Sequence, residues 1–460
     1  MKTKINGRAT VRRLTAGLLL GALCAGPAWA KVSAEEAAKL GKELTPIGAE
    51  KAANADGSIP AWDGGLTQSP PCYKGEGSRY CDPYPTDKIL YTVTPQNVAQ
   101  YKDKLSAGQI AMFEKYPSYK LNVYPTRRTA AFPGFVYEAT KKNALNATLE
   151  FNGESLKGAI TGFPFPIAKS GQEVMWNHKL RYRGMGASRW NNQAAVTATG
   201  SYTLVKITED VFFPYAAQNV TPESLNNVIT YFLQIVRDPP RLAGQITLVH
   251  ETMDQVREAR RAWQYNPGQR RIRRAPNVAY DNPSTASDGL RTNDQLDAFN
   301  GATDRYTWQL VGKREMLVPY NAYKLHSDQY KYADIIKRGH INQDLPRYEL
   351  HRVWVVEATL RAGTSHMFKR RTFYVDEDAW QVVLVDLYDN RNQLWRWQEL
   401  HGYQAYDKPF IGPPAMETAY DLQSGRYIAY SMNNEEAETR ERTFDRSYFD
   451  PSNVTKQAVK

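Results

Sequence analysis

The sequence predicts a mainly β protein with a few helices, built as a large curved antiparallel sheet or an incomplete β-barrel. Three observations predict it. Strand-like runs recur after Tyr124 between Gly, Pro, Asn and Asp turns. From Tyr348 to Tyr403 these runs follow one another with turn-sized gaps and no amphipathic helix between them, which argues hairpins and meanders. Helical spacing is concentrated near the front of the chain.

Residues 1–30 have the three parts of a secretory signal. Lys2, Lys4, Arg8, Arg12 and Arg13 form a basic start, Leu14 to Ala25 is apolar, and Ala28-Trp29-Ala30 is a small-x-small cleavage site, so cleavage is expected after Ala30. The apolar run is about half of the roughly 20 residues needed to cross a bilayer. Cys24 follows the bulky Leu23, where acylation of a lipoprotein needs a small residue. Arg12-Arg13 lacks the rest of a twin-arginine signal. The expected location is the periplasm, as a released protein or peripheral to the outer membrane.

Residues 31–123 read as a helical and loop-rich extension. Val32 to Leu44 has helical spacing and ends before Pro46; Thr94 to Tyr116 reads as one or two helices closed by Pro117. Between them, Gly48 to Asp87 is rich in Gly, Pro and Asn and holds Cys72 and Cys81. With the signal removed these are the only cysteines, and in an oxidising compartment they are expected to pair. No further Cys or His stands near them to complete a metal site.

Residues 124–433 form the expected β domain. The candidate strands are 144–151, 194–207, 227–236, 245–252, 259–264, 307–318, 348–360, 367–375, 381–388, 393–399 and 426–432, with one short helix over Asn293 to Phe299. Residues 434–460 read as a charged C-terminal tail.

Loss of the signal removes five basic residues and no acid, lowering the formal charge from +11 to +6. That excess suits anionic surfaces and gives no reason to expect nucleic acid. None of the common catalytic signatures occurs: no G-x-S-x-G elbow, H-E-x-x-H, Walker A loop or G-x-G-x-x-G. The seven histidines lack metal-ligand spacing, so no catalytic residue, metal or cofactor is expected, and His250 reads as a solvated or core-satisfied residue.

The strongest compositional signal is 12% aromatic residues with ten tryptophans, several alternating with arginine. In Trp395-Arg396-Trp397, strand alternation places both tryptophans on one face and Arg396 on the other. Two readings stay open: a β core with an arginine-rich outer face, or an aromatic-lined cavity for a lipophilic ligand with basic residues near its mouth. On the second, Trp263, Trp308, Trp354, Trp395 and Trp397 are the candidate ligand-binding residues.

Longer motifs bring a resemblance. Leu44-Thr45-Pro46-Ile47-Gly48-Ala49-Glu50, the stretch Asn54 to Gly65 (NADGSIPAWDGG), Asn122 to Arg128 (NVYPTRR), and Gly312-Lys313-Arg314-Glu315-Met316 leading to Pro319-Tyr320-Asn321 resemble a family of secreted Gram-negative proteins, domain of unknown function 1329. That family is similar to the outer-membrane lipoprotein-sorting, LolA/LolB-like superfamily, and Trp263 to Pro276 resembles that superfamily's W-x-Y-x-P strand and basic return. The resemblance implies an incomplete barrel closed by helices over an acyl-accepting cavity. It also implies a non-enzymatic periplasmic carrier or accessory for lipids or other hydrophobic molecules, working beside an RND-type inner-membrane transporter and an outer-membrane protein. The alternative is a scaffold that docks on such a transporter and binds no small ligand. The chain is about twice the length of the lipoprotein carriers.

Overall fold

The computed structural model describes residues 32–275, 278 and 280–458. The signal stretch, its cleavage point after Ala30, and Cys24 lie outside the described residues. From Val32 onward the chain forms one compact unit.

Seventeen strands make one continuous sheet that does not close on itself. In chain order they are β1 Tyr91–Val93, β2 Leu121–Val123, β3 Gly186–Trp190, β4 Asn192–Val196, β5 Tyr202–Phe212, β6 Val228–Asp238, β7 Ile246–Thr252, β8 Arg261–Asn266 and β9 Arg271–Arg274. They continue with β10 Tyr306–Pro319, β11 Tyr348–Leu360, β12 Arg370–Asp376, β13 Val382–Tyr388, β14 Leu394–His401, β15 Met416–Asp421, β16 Tyr427–Met432 and β17 Arg440–Glu441. From β10 to β16 each strand pairs antiparallel with the next. β16 then pairs with β4, and β4 with the first half of β5. From β5 the meander runs through β6, β7 and β8 to β9. β1 and β2, from the N-terminal stretch, join at Tyr348 of β11 through β2.

The sheet bends where β3 hands over to β4. β3 pairs with the second half of β5, and Asn191 stands between the two strands. Its side chain donates to Glu209 at 2.7 Å and accepts the Ser431 N–H at 2.7 Å, so the break in the ladder is held by buried hydrogen bonds.

The β10–β16 half is filled on both faces. One face carries α2 (Ala107–Lys115), whose Gly108 lies so close to Trp397 that a Cβ would sit 2.0 Å from the ring. The other carries α3 (Gly134–Asn146) and α4 (Gly171–Leu180) over Phe163, Trp176, Phe373 and Trp380. The β5–β8 half has only one face packed this way. There Tyr231, Leu233, Leu248 and Tyr265 meet Phe449 and Val454 from the C-terminal segment and α5 (Pro451–Ala458).

Several expected elements differ. The helix over Val32 to Leu44 is a single turn, α1 (Ala34–Ala37), capped by Ser33. Residues 144–151 divide between the end of α3, which stops at Asn146, the short strand Thr148–Glu150 and a 3₁₀ turn that starts at Phe151. The run 194–207 is a hairpin that turns at Thr197–Ser201. Asn293 to Phe299 keeps one 3₁₀ turn, Asn293–Gln295, because Asp297 and Ala298 take positive φ. The helices α3 and α4 and the strands β3 and β15 were not anticipated.

Candidate site: an arginine-walled pocket on the bent half of the sheet

On the second face of the β5–β8 half the sheet forms the floor of a pocket. Strand register lines up one apolar row across it, with Ala187 opposite Val211, Val211 opposite Phe232, and Phe232 opposite Val249. Beside it runs a polar row: Arg189 opposite Glu209, Glu209 opposite Gln234, Gln234 opposite Thr247. Period-2 alternation produces both rows, since residues two apart on each strand share a face.

The walls come from elsewhere in the chain. Arg181 and Arg183 follow α4, Pro413 and Pro414 lead into β15, which contributes Glu417, and residues from Val278 to Asn300 cross the top. The space inside is about 120 Å³, on the order of ten water positions.

Five arginines line the pocket: Arg181, Arg183, Arg189, Arg260 and Arg291. Four are matched by acids. Arg181 and Arg183 share Asp297, the latter at 2.5 Å. Burial would raise the Asp297 carboxyl, but Arg181 and Arg183 outweigh it and hold it well below the usual carboxylate range. Arg189 pairs with Glu209 at 2.7 Å. Arg260 pairs with Glu251 and donates to the Asn300 and Val278 carbonyls, which ties the crossing segment to β7.

Arg291 differs. It is 2% exposed and has no ion pair among the described residues. One terminal nitrogen donates to Ser284 Oγ at 2.8 Å, its guanidinium lies 4.1 Å from the Tyr430 ring centre, and its Nε and Nη1 are buried without a partner.

Glu417 completes the wall. One oxygen accepts the Ala298 N–H at 2.9 Å and the Tyr430 hydroxyl at 2.8 Å; the other accepts the Ser431 hydroxyl at 3.2 Å. Burial, and then the charge of Asp297, push its carboxyl up to about 7. His178 sits behind the pocket, pulled down to about 3 by burial and then Arg181, and so neutral. Its Nδ1 accepts the Val382 N–H at 3.1 Å, which leaves Nε2 to donate to the Asp297 carbonyl at 2.8 Å.

None of the five candidate tryptophans lines this pocket. Trp263 lies on the opposite face of the sheet, edge-on to His250. Trp308 packs among Tyr306, Phe299 and Phe373. Trp354 stacks on Trp380 with ring centres 6.0 Å apart. Trp395 and Trp397 do not share a face. A register shift between β13 and β14 puts Trp395 on the side of Arg396, with Phe368 and Asp421, while Trp397 packs on Tyr420 across the sheet. His250 is buried, with Nε2 2.9 Å from the Phe449 carbonyl and Nδ1 without a hydrogen-bond partner. Cys72 and Cys81 are bonded.

A second buried cluster joins the N-terminal stretch to the sheet. His351, Asp376 and Asp378 are the only described residues grouped closely enough for a metal ion. Most of their groups are already engaged: Arg128 pairs with Asp378 at 2.7 Å, Tyr320 donates to Asp376 Oδ2 at 3.1 Å, and His351 lies 3.0 Å from Glu349, while Asp376 Oδ1 has no hydrogen-bond partner. Burial pulls the His351 imidazole down, but the Glu349 hydrogen bond and charge raise it above its ordinary value. Arg128, Arg352 and Lys313 around Glu377 complete a charge network that fastens residues 50–60 to β10–β12.

Comparison with known proteins places the chain. Residues 92–455 match the family described as "Protein of unknown function (DUF1329)". An uncharacterized protein of Pseudomonas aeruginosa is 50% identical over 450 residues, covering 97% of this chain and 98% of that one. A crystal structure from Vibrio parahaemolyticus, described as an outer membrane lipoprotein-sorting protein domain, is 13% identical at a TM-score of 0.43, over 62% of this chain and 98% of that one. A DUF1329 family protein from Desulfovibrio piger is 12% identical at a TM-score of 0.41, over 59% of this chain and 91% of that one.

Proposed function

The chain belongs to the DUF1329 family, and from that premise we propose that it is a periplasmic protein that binds a lipophilic molecule, serving as carrier or accessory of a system that moves lipids or other hydrophobic compounds between the inner and outer membranes. The observation that supports this most is the apolar row Ala187, Val211, Phe232 and Val249 at the floor of a pocket roofed by loops. Phe213, Leu296, Pro413 and Pro414 extend it. A cavity of about 150 Å³ takes one benzene, so the 120 Å³ here seals about five methylenes, which gain about 4 kcal/mol at roughly 0.8 kcal/mol each. Before ordering costs that is a dissociation constant of about 1 mM, so the rest of a longer chain along the cleft, and its head group, must supply the remaining affinity.

The secretory signal expected over residues 1–30 supports the location. Among the described residues no helix is long and apolar enough to cross a membrane. The partners that fit are a hydrophobic small molecule, an RND-type inner-membrane transporter and an outer-membrane protein. Binding and transfer need only the pocket, and we assign no reaction to it.

The test is native mass spectrometry and lipid extraction of protein purified from its own periplasm, together with titration by a fluorescent fatty-acid probe. Co-purifying lipid, and probe binding that Phe232→Ala weakens, are expected. A pocket that yields no lipid and takes up no probe overturns the carrier reading and leaves the docking scaffold.

A further inference from the structure

Resting on that reading, we infer that the pocket selects an anionic amphiphile, with a carboxylate or phosphate head on a hydrocarbon body, and that Arg291 is the residue that meets the head. Arg181, Arg183, Arg189 and Arg260 each have an acid in contact, so a ligand anion gains little from them. Arg291 is as deeply buried and has none. A guanidinium withdrawn from water without a counter-charge is costly, and two of its nitrogens have no acceptor either.

The Glu417 carboxyl, on which the charge of Arg291 acts, does not supply the missing charge in full. Both Glu417 oxygens are occupied by the Ala298 N–H, the Tyr430 hydroxyl and the Ser431 hydroxyl. Its raised pKa also leaves part of it neutral near pH 7. The Tyr430 ring offers Arg291 a cation–π face, which orients the guanidinium; Nη2 donates to Ser284, and Nε and Nη1 are left unused. Ser284, Thr285 and Asn293 line the same wall and add neutral polar groups around an anion. Arg291 can hold either head in bidentate fashion, because both present paired oxygens at the spacing of its fork. The hydrocarbon body then lies along Phe232 and Val249.

The experiment compares dansyl-undecanoic acid with its methyl ester, which share a tail and differ in head charge. Wild-type protein is expected to bind the acid roughly tenfold tighter than the ester. Arg291→Gln is expected to remove that preference while leaving ester affinity within about twofold, and Arg291→Lys to restore part of it. Equal binding of acid and ester by the wild type overturns the Arg291 assignment and leaves the carrier reading standing. Binding of neither overturns both. A preference that survives in folded Arg291→Gln also overturns it. Should Arg291→Gln not fold, by circular dichroism, the wild-type ratio and Arg291→Lys decide. Competition by lauric acid against dodecyl phosphate identifies the head: the stronger competitor names the carboxylate or the phosphate class, and failure of both to displace the probe counts against the assignment.

Discussion

Replacing Glu417 by Gln should change how stability depends on pH. Glu417 is 1% exposed; among the charged groups that act on it Asp297 raises its pKa and Arg291 lowers it, and the charge of Arg189 also reaches it. Its carboxyl titrates near 7 in the folded chain against 4.5 for a free side chain. The folded state therefore binds this proton more tightly than the unfolded state. The stabilisation from that difference is present in full below about pH 4.5 and is lost progressively as pH rises through about 7. A difference of 2.5 in pKa, at about 1.36 kcal/mol for each unit, makes the loss about 3 kcal/mol between pH 4.5 and pH 8. Glutamine keeps the shape and does not titrate. Urea unfolding of both proteins across that range should show the variant gaining about 3 kcal/mol relative to wild type as pH rises, whatever constant offset the substitution adds. A difference between the two that stays flat within about 1 kcal/mol would refute the reasoning. A probe acid should also bind wild type more tightly below pH 7, since an ionised Glu417 competes for Arg291.

Trp397→Ala should cost about 3 to 5 kcal/mol, read by urea unfolding, because it empties a fully buried contact with Tyr420 and Gly108. Probe affinity should be unchanged, since Trp397 lies outside the pocket. The double substitution Cys72→Ser and Cys81→Ser should lower stability by about 2.5 kcal/mol from the short loop released, measured against the oxidised protein without reductant. N-terminal sequencing of periplasmic protein should begin at Lys31; an acylated Cys24 would contradict the expected signal cleavage.

The strands were legible where alternation or β-branched runs stand between turn residues. Tyr348–Leu360 was anticipated to the residue, and β6, β7, β10, β13, β14 and β16 to within two at either end. The missed helix α4 explains the opposite case. In Gly171–Leu180 every residue but Glu173 is buried, including Asn177, His178 and Lys179. Those polar groups are satisfied from far away in sequence: by Phe165, by the Asp297 carbonyl and Val382 N–H, and by the Gly301 carbonyl with Glu251. A helix buried all round through tertiary hydrogen bonds has no apolar stripe to read. The bulge at Trp395 was hidden for a related reason. One extra residue in β14 reverses the facing of every residue after it, and only the partner strand reveals it. The pocket was illegible as a unit, since its floor spans 187–251 and its roof 278–300 and 413–417. The local signal that pointed toward it was Arg181-Tyr182-Arg183, followed by Arg189, rather than the tryptophans.

That tryptophans mark the filled half and arginines the pocket follows from how the two halves of the sheet are covered. Around β10–β16, large aromatic side chains occupy both faces and close-pack with helices, which leaves no space to open. On the β5–β8 half one face is sealed by the C-terminal segment, and the other is spanned by loops fastened through ion pairs: Arg260 to Glu251, Arg181 and Arg183 to Asp297, with Asp297 itself at positive φ. The crossing segment is also rooted in the packed half: Ala298 and Phe299 lie in its core, Asp294 pairs with Arg371, and Gln398 donates to the Gln295 carbonyl. The chain thus joins a half packed on both faces to a half that keeps a pocket, and the unpaired charge of Arg291 is buried in the wall of that pocket.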